Sequence, residues 1–256
     1  MSKRKKFIIT SLILSLGFIG VQLLDNVFRF WAIGILGLFA TGLFTWSLFE
    51  GLGKNATLLT LLLPAMFTWG VGIFWFLLPA NVFARIPVVV FYGAGIYVLC
   101  LTMNILTVAA IRTIALLRAA RGVGFVLTLI TSFLVYDAIL SLKTSILLTG
   151  GGVALLSFPL FLQGLWSTSL EPKLDRQIVI SGLIYSLVMG EAAIGLYFWP
   201  VTVVVGSLFL TVTVYMLLGL GQAKIEGRLF PGTVRDYFFV GILVFIGMFF
   251  ATRWGA

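Results

Sequence analysis

Nine apolar runs, each about 20 residues long, follow one another along the sequence and limit the fold more than any other feature. A bilayer core about 30 Å thick needs about 20 apolar residues for one helix to cross it. The chain is therefore predicted to be an all-α membrane protein, a bundle of about nine transmembrane helices that forms a single polytopic domain over residues 1–256. The predicted spans are Phe7–Leu24, Trp31–Phe49, Ala56–Leu78, Val88–Leu106, Val123–Leu142, Ile146–Trp166, Ile178–Trp199, Val201–Gln222 and Phe238–Trp254.

The composition indicates that lipid surrounds the chain, and it excludes several kinds of chemistry. With 61% hydrophobic and 10% charged residues, the chain is far more apolar than a soluble domain. It has no histidine, which excludes Ser-His-Asp triads, histidine-ligated haem and histidine-containing zinc sites. Cys100 is the one cysteine, so neither an intrachain disulfide nor a cysteine cluster forms. We therefore predict no metal, no cofactor and no catalytic residue, and we do not expect an enzyme.

The basic residues predict how the bundle is oriented. Lys3–Lys6 precede an apolar run without a small-residue cleavage site, so residues 7–24 are predicted to be an uncleaved signal anchor with the amino terminus in the cytoplasm. Nine spans then place the carboxyl terminus outside. We attribute the net charge of +9 to basic residues concentrated on the cytoplasmic side, where they orient the bundle and attract anionic lipid. We do not interpret it as a sign of nucleic-acid binding. In this orientation four of the 17 lysines and arginines lie outside and the others lie inside. The four outside are Arg29, Arg85, Lys143 and Arg253.

Two carboxylates within spans mark a candidate polar pocket. An acidic side chain at the centre of a span costs about 2.5–3.5 kcal/mol, so each needs a reason. Asp137 lies about 7 Å and Glu191 about 4 Å to the outside of the midpoints of their spans, at similar depth. Gly150-Gly151-Gly152 lies at that level in span 6, and with Pro159 it predicts a helix that unwinds or kinks. The alternative is that each acid pairs locally and the glycines allow close helix packing.

A weak internal repeat is a further prediction. Spans 2–5, residues 31–142, can be aligned with spans 6–9, residues 146–254. Glu50 and Glu171 then correspond, as do Pro79 and Pro200, because both pairs have the same separation along the chain. Such parallel repeats are common in transporters. The alternative is that these residue types recur at membrane borders by chance.

A basic segment joins spans 4 and 5. Residues Ala109–Gly122 are rich in alanine and leucine and predict a helical extension at the cytoplasmic headgroups, where Arg112, Arg118 and Arg121 contact lipid phosphates. The segment of about sixteen residues from Ala110 onward resembles uncharacterised polytopic bacterial membrane proteins. This resemblance implies a bacterial cytoplasmic membrane and no particular activity.

Two classes of function fit the pattern best. A transporter or permease-like bundle for a small solute or cation would explain the two acids, the glycine triplet and the possible repeat. A non-catalytic structural or interaction component of a membrane assembly would explain the hydropathy alone. Tyr136-Asp137 resembles the first motif of presenilin-type proteases, but the Gly-x-Gly-Asp motif is absent from this sequence. The two remaining classes are distinguished by whether Asp137, Glu191 and Gly150–Gly152 converge on a water-accessible cavity.

Overall fold

A computed structural model describes residues 2–22, 24, 26–52, 56–77, 82–110 and 115–252, and these ranges contain nine α-helices and no strand. Each helix, with α3 counted together with the 3-10 segment before it, is long and apolar enough to cross a membrane. The predicted all-helical membrane fold is therefore confirmed. The helices are α1 Lys3–Gln22, α2 Asn26–Leu48, α3 Leu62–Leu77, α4 Val82–Ala109, α5 Leu117–Ser141, α6 Ile146–Ser169, α7 Arg176–Tyr197, α8 Val203–Ile225 and α9 Pro231–Ala251.

The helix ends differ from the predicted spans for local reasons. α9 begins at Pro231 rather than Phe238, because proline at the first helical position already has a helical φ and needs no N–H partner there. The 3-10 segment Ala56–Leu61 precedes α3 because the ring of Pro64 clashes with an α-helical carbonyl four residues earlier. The predicted span ends at Leu78 and Trp254 lie outside the described residues, as do Lys54, Pro79 and Arg253.

The chain divides into two compact units, of which the first comprises residues 1–131 and 170–173. In this unit α1 packs against α2 and α4, and α2 packs against α3. An aromatic cluster forms its core: the ring of Phe18 stacks on Tyr92 at 4.8 Å and meets the edge of Trp75 at 5.4 Å. The Tyr92 hydroxyl lies 3.2 Å from the Thr68 hydroxyl, so this buried phenol is hydrogen-bonded.

Charged side chains connect α1 to the end of α2 in the same unit. Glu50 lies 3.1 Å from Lys3 and 3.6 Å from Lys6, measured between carboxylate oxygens and ammonium nitrogens. The hydrogen bond and the positive charge of Lys3, followed by the smaller effect of Lys6, lower the pKa of Glu50 below its ordinary value of 4.5. The Lys6 ammonium also lies 5.7 Å from the centre of the Trp46 ring. The two helices are thus joined by an exposed ionic cluster.

The second unit comprises residues 132–169 and 174–256, which hold the end of α5 and helices α6–α9. Its closest packing is between α6 and α7, and it depends on small residues. A Cβ added to Gly190 would lie 3.0 Å from both the Ala154 Cβ and the Gly150 carbonyl oxygen. A larger residue at this position would therefore force the two helices apart by a few tenths of an ångström. Helix α9 packs mainly against α8, and most of its surface is exposed.

Two sequence predictions about local structure differ from the structure. Helix α6 is helical from Ile146 to Ser169, through both the glycine triplet and Pro159, so the predicted unwinding is wrong, whereas the alternative of a kink stays a prediction. Unwound backbone in a membrane would leave polar groups unpaired, and the close contact with α7 favours the intact helix. Of the helical extension predicted over Ala109–Gly122, residues 117–122 are helical as the start of α5, Ala115 and Leu116 lie in a turn, and residues 111–114 lie outside the described residues.

Candidate functional site

Asp137 is a buried carboxyl with a poorly matched partner. Its side chain on α5 is only 3% exposed, and the hydroxyl of Ser207 on α8 lies 3.3 Å from its Oδ1. The same hydroxyl lies 2.7 Å from the carbonyl oxygen of Val203. A serine hydroxyl has one proton to donate, and the shorter contact is the better acceptor. The carboxyl of Asp137 therefore receives at most a weak hydrogen bond from Ser207.

The residue before Asp137 fixes the orientation of α5 relative to α6. The Tyr136 hydroxyl lies 2.8 Å from the Ser157 hydroxyl, and Ser157 donates to the carbonyl oxygen of Val153 at 2.6 Å. Because the Ser157 proton is used in this way, Tyr136 donates to Ser157. Consecutive residues of a helix point about 100° apart. Tyr136 thus faces α6 while Asp137 faces α8.

An open cleft of about 250 Å³ lies close to Asp137 in the second unit. It forms where α5 and α7 end and where α6 and α8 begin. Leu140 lies one helical turn beyond Asp137, about 5 Å along α5, and Gly206 is the neighbour of Ser207. The Asp137–Ser207 pair is therefore about one turn below the floor of the cleft. The lining residues are Leu140, Lys143, Thr149, Leu196, Tyr197, Trp199, Val201, Thr202, Val203 and Gly206.

The polar groups of the cleft are held by the helix ends that form it. Lys143 follows α5 in a left-handed conformation with a φ of 46°, and its side chain is exposed. Thr149 shares a hydrogen bond of 3.2 Å with Thr144, and the Thr202 hydroxyl accepts from the backbone N–H of Val205 at the start of α8. A cation, hydroxyls and aromatic rings thus surround a space suited to a small solute with polar and apolar parts.

The other residues of the predicted pocket have different surroundings. Glu191 is exposed on α7, whereas Asp137 is sealed inside the unit. Gly150 is buried against Ile194 and the backbone of Gly190, so the structure brings this glycine and α7 together. Gly151 is exposed with nothing within 4 Å of an added Cβ, and Gly152 is half-buried with Ile139 at 3.9 Å. Since neither the two acids nor the glycines line the cleft, we treat Asp137 and Glu191 as two sites.

The basic residues predicted to bind lipid phosphates are only partly described. Arg118 is exposed in the first turn of α5, and Arg121 is half-buried one turn later. Arg112 lies outside the described residues. Within the described ranges, no group of three or more Cys, Asp or Glu side chains could hold a metal ion.

The residues that sequence reasoning missed are those of the cleft. Ser207 carries no distinctive signal, since serine and threonine occur in most of the helices and usually bond to their own backbone. Lys143 is predicted only to lie outside the membrane, as one of four basic residues there. Thr202 does carry a signal, because a threonine directly before an apolar run is a typical N-cap.

Comparison with known proteins gives one match. Residues 13–251 match the family model described as "Protein of unknown function (DUF5656)". The match extends from within α1 to the end of α9, so it covers far more of the chain than the sixteen residues of the resemblance noted above. No curated protein and no solved structure matches the chain.

Proposed function

The chain belongs to the DUF5656 family of proteins of unknown function, and on that premise we propose that it is a permease-like membrane protein. In this proposal a small solute or ion binds in the cleft of the second unit, and Asp137 carries a proton or cation that is coupled to its uptake. The convergence of Asp137, Glu191 and Gly150–Gly152 that would favour a transporter is not found, because Asp137 is buried, Glu191 is exposed and none of them lines the cleft. The proposal therefore depends on Asp137 and the nearby cleft alone. The nine apolar helices make the chain an integral membrane protein.

The observation that carries the proposal is the position of Asp137. A carboxyl within a span costs about 2.5–3.5 kcal/mol at the helix centre, and a bundle with a purely structural role gains nothing from it. With only a weak contact to Ser207, the carboxylate needs a proton or a small cation to balance its charge. The cleft lies about one helical turn away along α5, and in this proposal its floor opens to let that ion reach Asp137. Acidic residues inside membrane proteins commonly mark such ion pathways.

The predicted orientation determines the side of the membrane to which the cleft opens. The excess of basic residues on one side places the amino terminus in the cytoplasm of a bacterium, with the chain in the cytoplasmic membrane. The cleft at the end of α5 and the start of α6 then opens to the outside. Arg118 and Arg121, with Arg112, face anionic headgroups on the cytoplasmic side in this proposal.

Water access to the cleft is tested with single cysteines. In a Cys100→Ala background, Leu140→Cys in the floor and Thr202→Cys at the rim should react with a membrane-impermeant maleimide added from outside. Leu155→Cys, which is 73% exposed on α6 and lies well inside the helix, is the control. It should stay unlabelled, because a thiol in lipid is protonated and a polar reagent does not reach it. Labelling of Leu155→Cys but not of Leu140→Cys would contradict the proposal.

Coupled uptake is measured in proteoliposomes that contain a pH-sensitive dye. Amino acids, monosaccharides and mono- and dicarboxylates are added singly, and one class should change the internal pH. Asp137→Asn keeps the shape of the side chain and should lower that rate at least ten-fold, since the amide cannot exchange a proton. Asp236→Asn, at an exposed acid of α9, should leave it unchanged. Equal rates in the two variants would remove Asp137 from the mechanism.

An interaction role is the second candidate function, and one observation favours it. Glu191 lies on an exposed face of α7 rather than in the interior, so its carboxyl faces the surroundings of the chain. A permease does not require a carboxyl there.

A further inference from the structure

One face of α7 is exposed along most of its length, and Glu191 lies within it. The opposite face is buried through Gly182, which faces Phe158 and Leu162, and through Gly190. Within the second unit, α7 packs against α6 and α8, and no described residue of that unit covers the exposed face. The exposed apolar side chains around Glu191 are Ile180, Leu183, Ile184, Leu187 and Val188.

Glu191 is a carboxyl in an apolar setting, and no charged partner lies beside it in the described part of the chain. It lies six residues before Tyr197 and therefore about 9 Å from the end of α7. Among the residues that the structure describes, none forms an ion pair or hydrogen bond with its side chain. An ionised group at this depth is stable only with a partner, usually an opposite charge on a facing helix.

There is room beside Glu191 for another helix. Gly195 lies one turn further along α7 and is exposed, with nothing within 4 Å of an added Cβ. Small residues let the backbones of two membrane helices approach closely. A helix packed over Gly195 would bring a basic side chain within reach of the Glu191 carboxylate.

Charge complementarity favours a different protein over a second copy of this chain. In a two-fold symmetric contact in which α7 packs on α7, Glu191 would face another carboxylate. In α2, Arg29 already donates to the carbonyl oxygens of Gln22 and Leu24. In α4, the guanidinium of Arg85 lies 5.3 Å from the centre of the Trp75 ring, although its buried Nε has no hydrogen-bond partner among the described residues. The remaining basic residues in the described ranges lie near or beyond the helix ends.

We infer that the exposed face of α7 docks a transmembrane helix of another protein, which places an arginine or lysine against the Glu191 carboxylate. The docking surface consists of Glu191, Gly195 and the apolar side chains of the same face. It is independent of the cleft and of Asp137, so the interaction can hold whether or not the chain transports a solute.

The inference is tested with model helices in phosphatidylcholine vesicles. The full-length protein, labelled at Ser2→Cys in the Cys100→Ala background, is mixed with single-span polyleucine peptides that carry an acceptor dye and uncharged ends. One peptide has an arginine about 9 Å from its end, one has the arginine at its centre and one has leucine only. Energy transfer should show at least ten-fold tighter binding of the first peptide than of the leucine peptide. Glu191→Gln should reduce its binding to the level of the leucine peptide.

A relocated carboxyl separates the docking surface from charge attraction alone. Ile246 is exposed on α9, five residues before Ala251, at nearly the depth of Glu191. In the variant Glu191→Gln with Ile246→Glu, the arginine peptide should remain weakly bound, because α9 lacks the α7 surface. Full restoration of binding would overturn the assignment to α7. Equal binding of the arginine and leucine peptides by the original chain would also overturn it.

A last experiment tests whether the exposed face of α7 binds a second copy of the chain. Donor- and acceptor-labelled copies of the chain should show no energy transfer that depends on Glu191. If transfer between copies is strong and is lost in Glu191→Gln, the occupant is a second copy and the inference is wrong. Unfolding midpoints of all variants are measured beside the binding curves to show that each is folded.

Discussion

At Gly190 the backbone of α7 approaches α6 so closely that no side chain fits without movement. The atoms that an added Cβ would meet are the carbonyl oxygen of Gly150 and the Cβ of Ala154, and neither can rotate away. Gly151 is in the facing helix, yet an added Cβ there meets nothing within 4 Å. The same residue type therefore has opposite roles at these two positions.

Substituting these glycines should give effects of opposite sign. Gly190→Ala should lower the free energy of unfolding by about 1–3 kcal/mol, because overpacking forces the two helices apart. Gly151→Ala should leave it unchanged or raise it by up to about 1 kcal/mol, since alanine has the higher helix propensity. Unfolding in mixed detergent micelles measures both. Equal losses in the two variants would show that the α6–α7 contact does not depend on Gly190.

The two intramembrane acids show what can be recognised at the scale of a residue. Asp137 and Glu191 were found from the sequence because a carboxyl in an apolar run is costly wherever it points. Their surroundings were not predictable in this way. A rotation of about 100° separates neighbouring positions on a helix, so a small difference in packing decides between the interior, as for Asp137, and the exposed surface, as for Glu191.

At the scale of elements, α1 and α2 are joined by an exposed charge cluster. Glu50 follows α2, and Lys3 and Lys6 lie in the first two turns of α1. Because the pKa of Glu50 is lowered in the folded chain, the cluster stabilises the fold above the ordinary pKa of 4.5. This contribution is lost as the pH falls through the lowered pKa, since the carboxyl is then neutral in both states.

The variant Glu50→Gln should therefore be less stable than the original chain at pH 7, and the difference should decrease as the pH falls below 4.5 and through the lowered pKa. The difference should be small and should decrease in 1 M salt, because exposed ion pairs are strongly screened. Melting temperatures of both proteins from neutral to acidic pH provide the measurement. A difference that does not decrease with falling pH would mean that the carboxamide disturbs packing rather than charge.

Helix α6 shows how the surroundings override local signals. Three consecutive glycines and a proline would weaken a helix in water, where exposed backbone groups can bond to solvent. In lipid the same groups have no alternative partner, so the helical hydrogen bonds are retained wherever geometry permits. Gly150 then allows α6 to pack closely on α7, where it contacts Gly190 and Ile194.

At the scale of the whole molecule, the orientation in the membrane is a prediction from charge alone. It can be tested with one cysteine on each side of α6 in the Cys100→Ala background. Ser145→Cys should react with an impermeant maleimide in intact cells, and Lys173→Cys only after permeabilisation. Both positions are exposed, and each lies in a connection between helices. The reverse pattern would place the amino terminus outside, and labelling of both in intact cells would mean that α6 does not cross.

The predicted parallel repeat stays a prediction. In the first unit α1 packs against both α2 and α4, whereas in the second α6 packs against α7 and α8 and α9 packs against α8. Helix α5 contributes to both units, with the division between Thr131 and Ser132. Glu50 and Glu171, which correspond in the predicted repeat, both follow the end of a helix. Pro79, which corresponds to Pro200, lies outside the described part of the chain.

The sequence by itself determined the class of fold, because the length and apolar character of the runs leave a helix as the structure that pairs every backbone group in lipid. It also identified Asp137 and Glu191, since the cost of burying charge depends on residue type and depth. Only the tertiary structure decided which face of each helix is buried. That choice depends on contacts between distant residues, such as Asp137 with Ser207 and Gly190 with Gly150. These contacts seal one carboxyl beneath a cleft and leave the other exposed on α7.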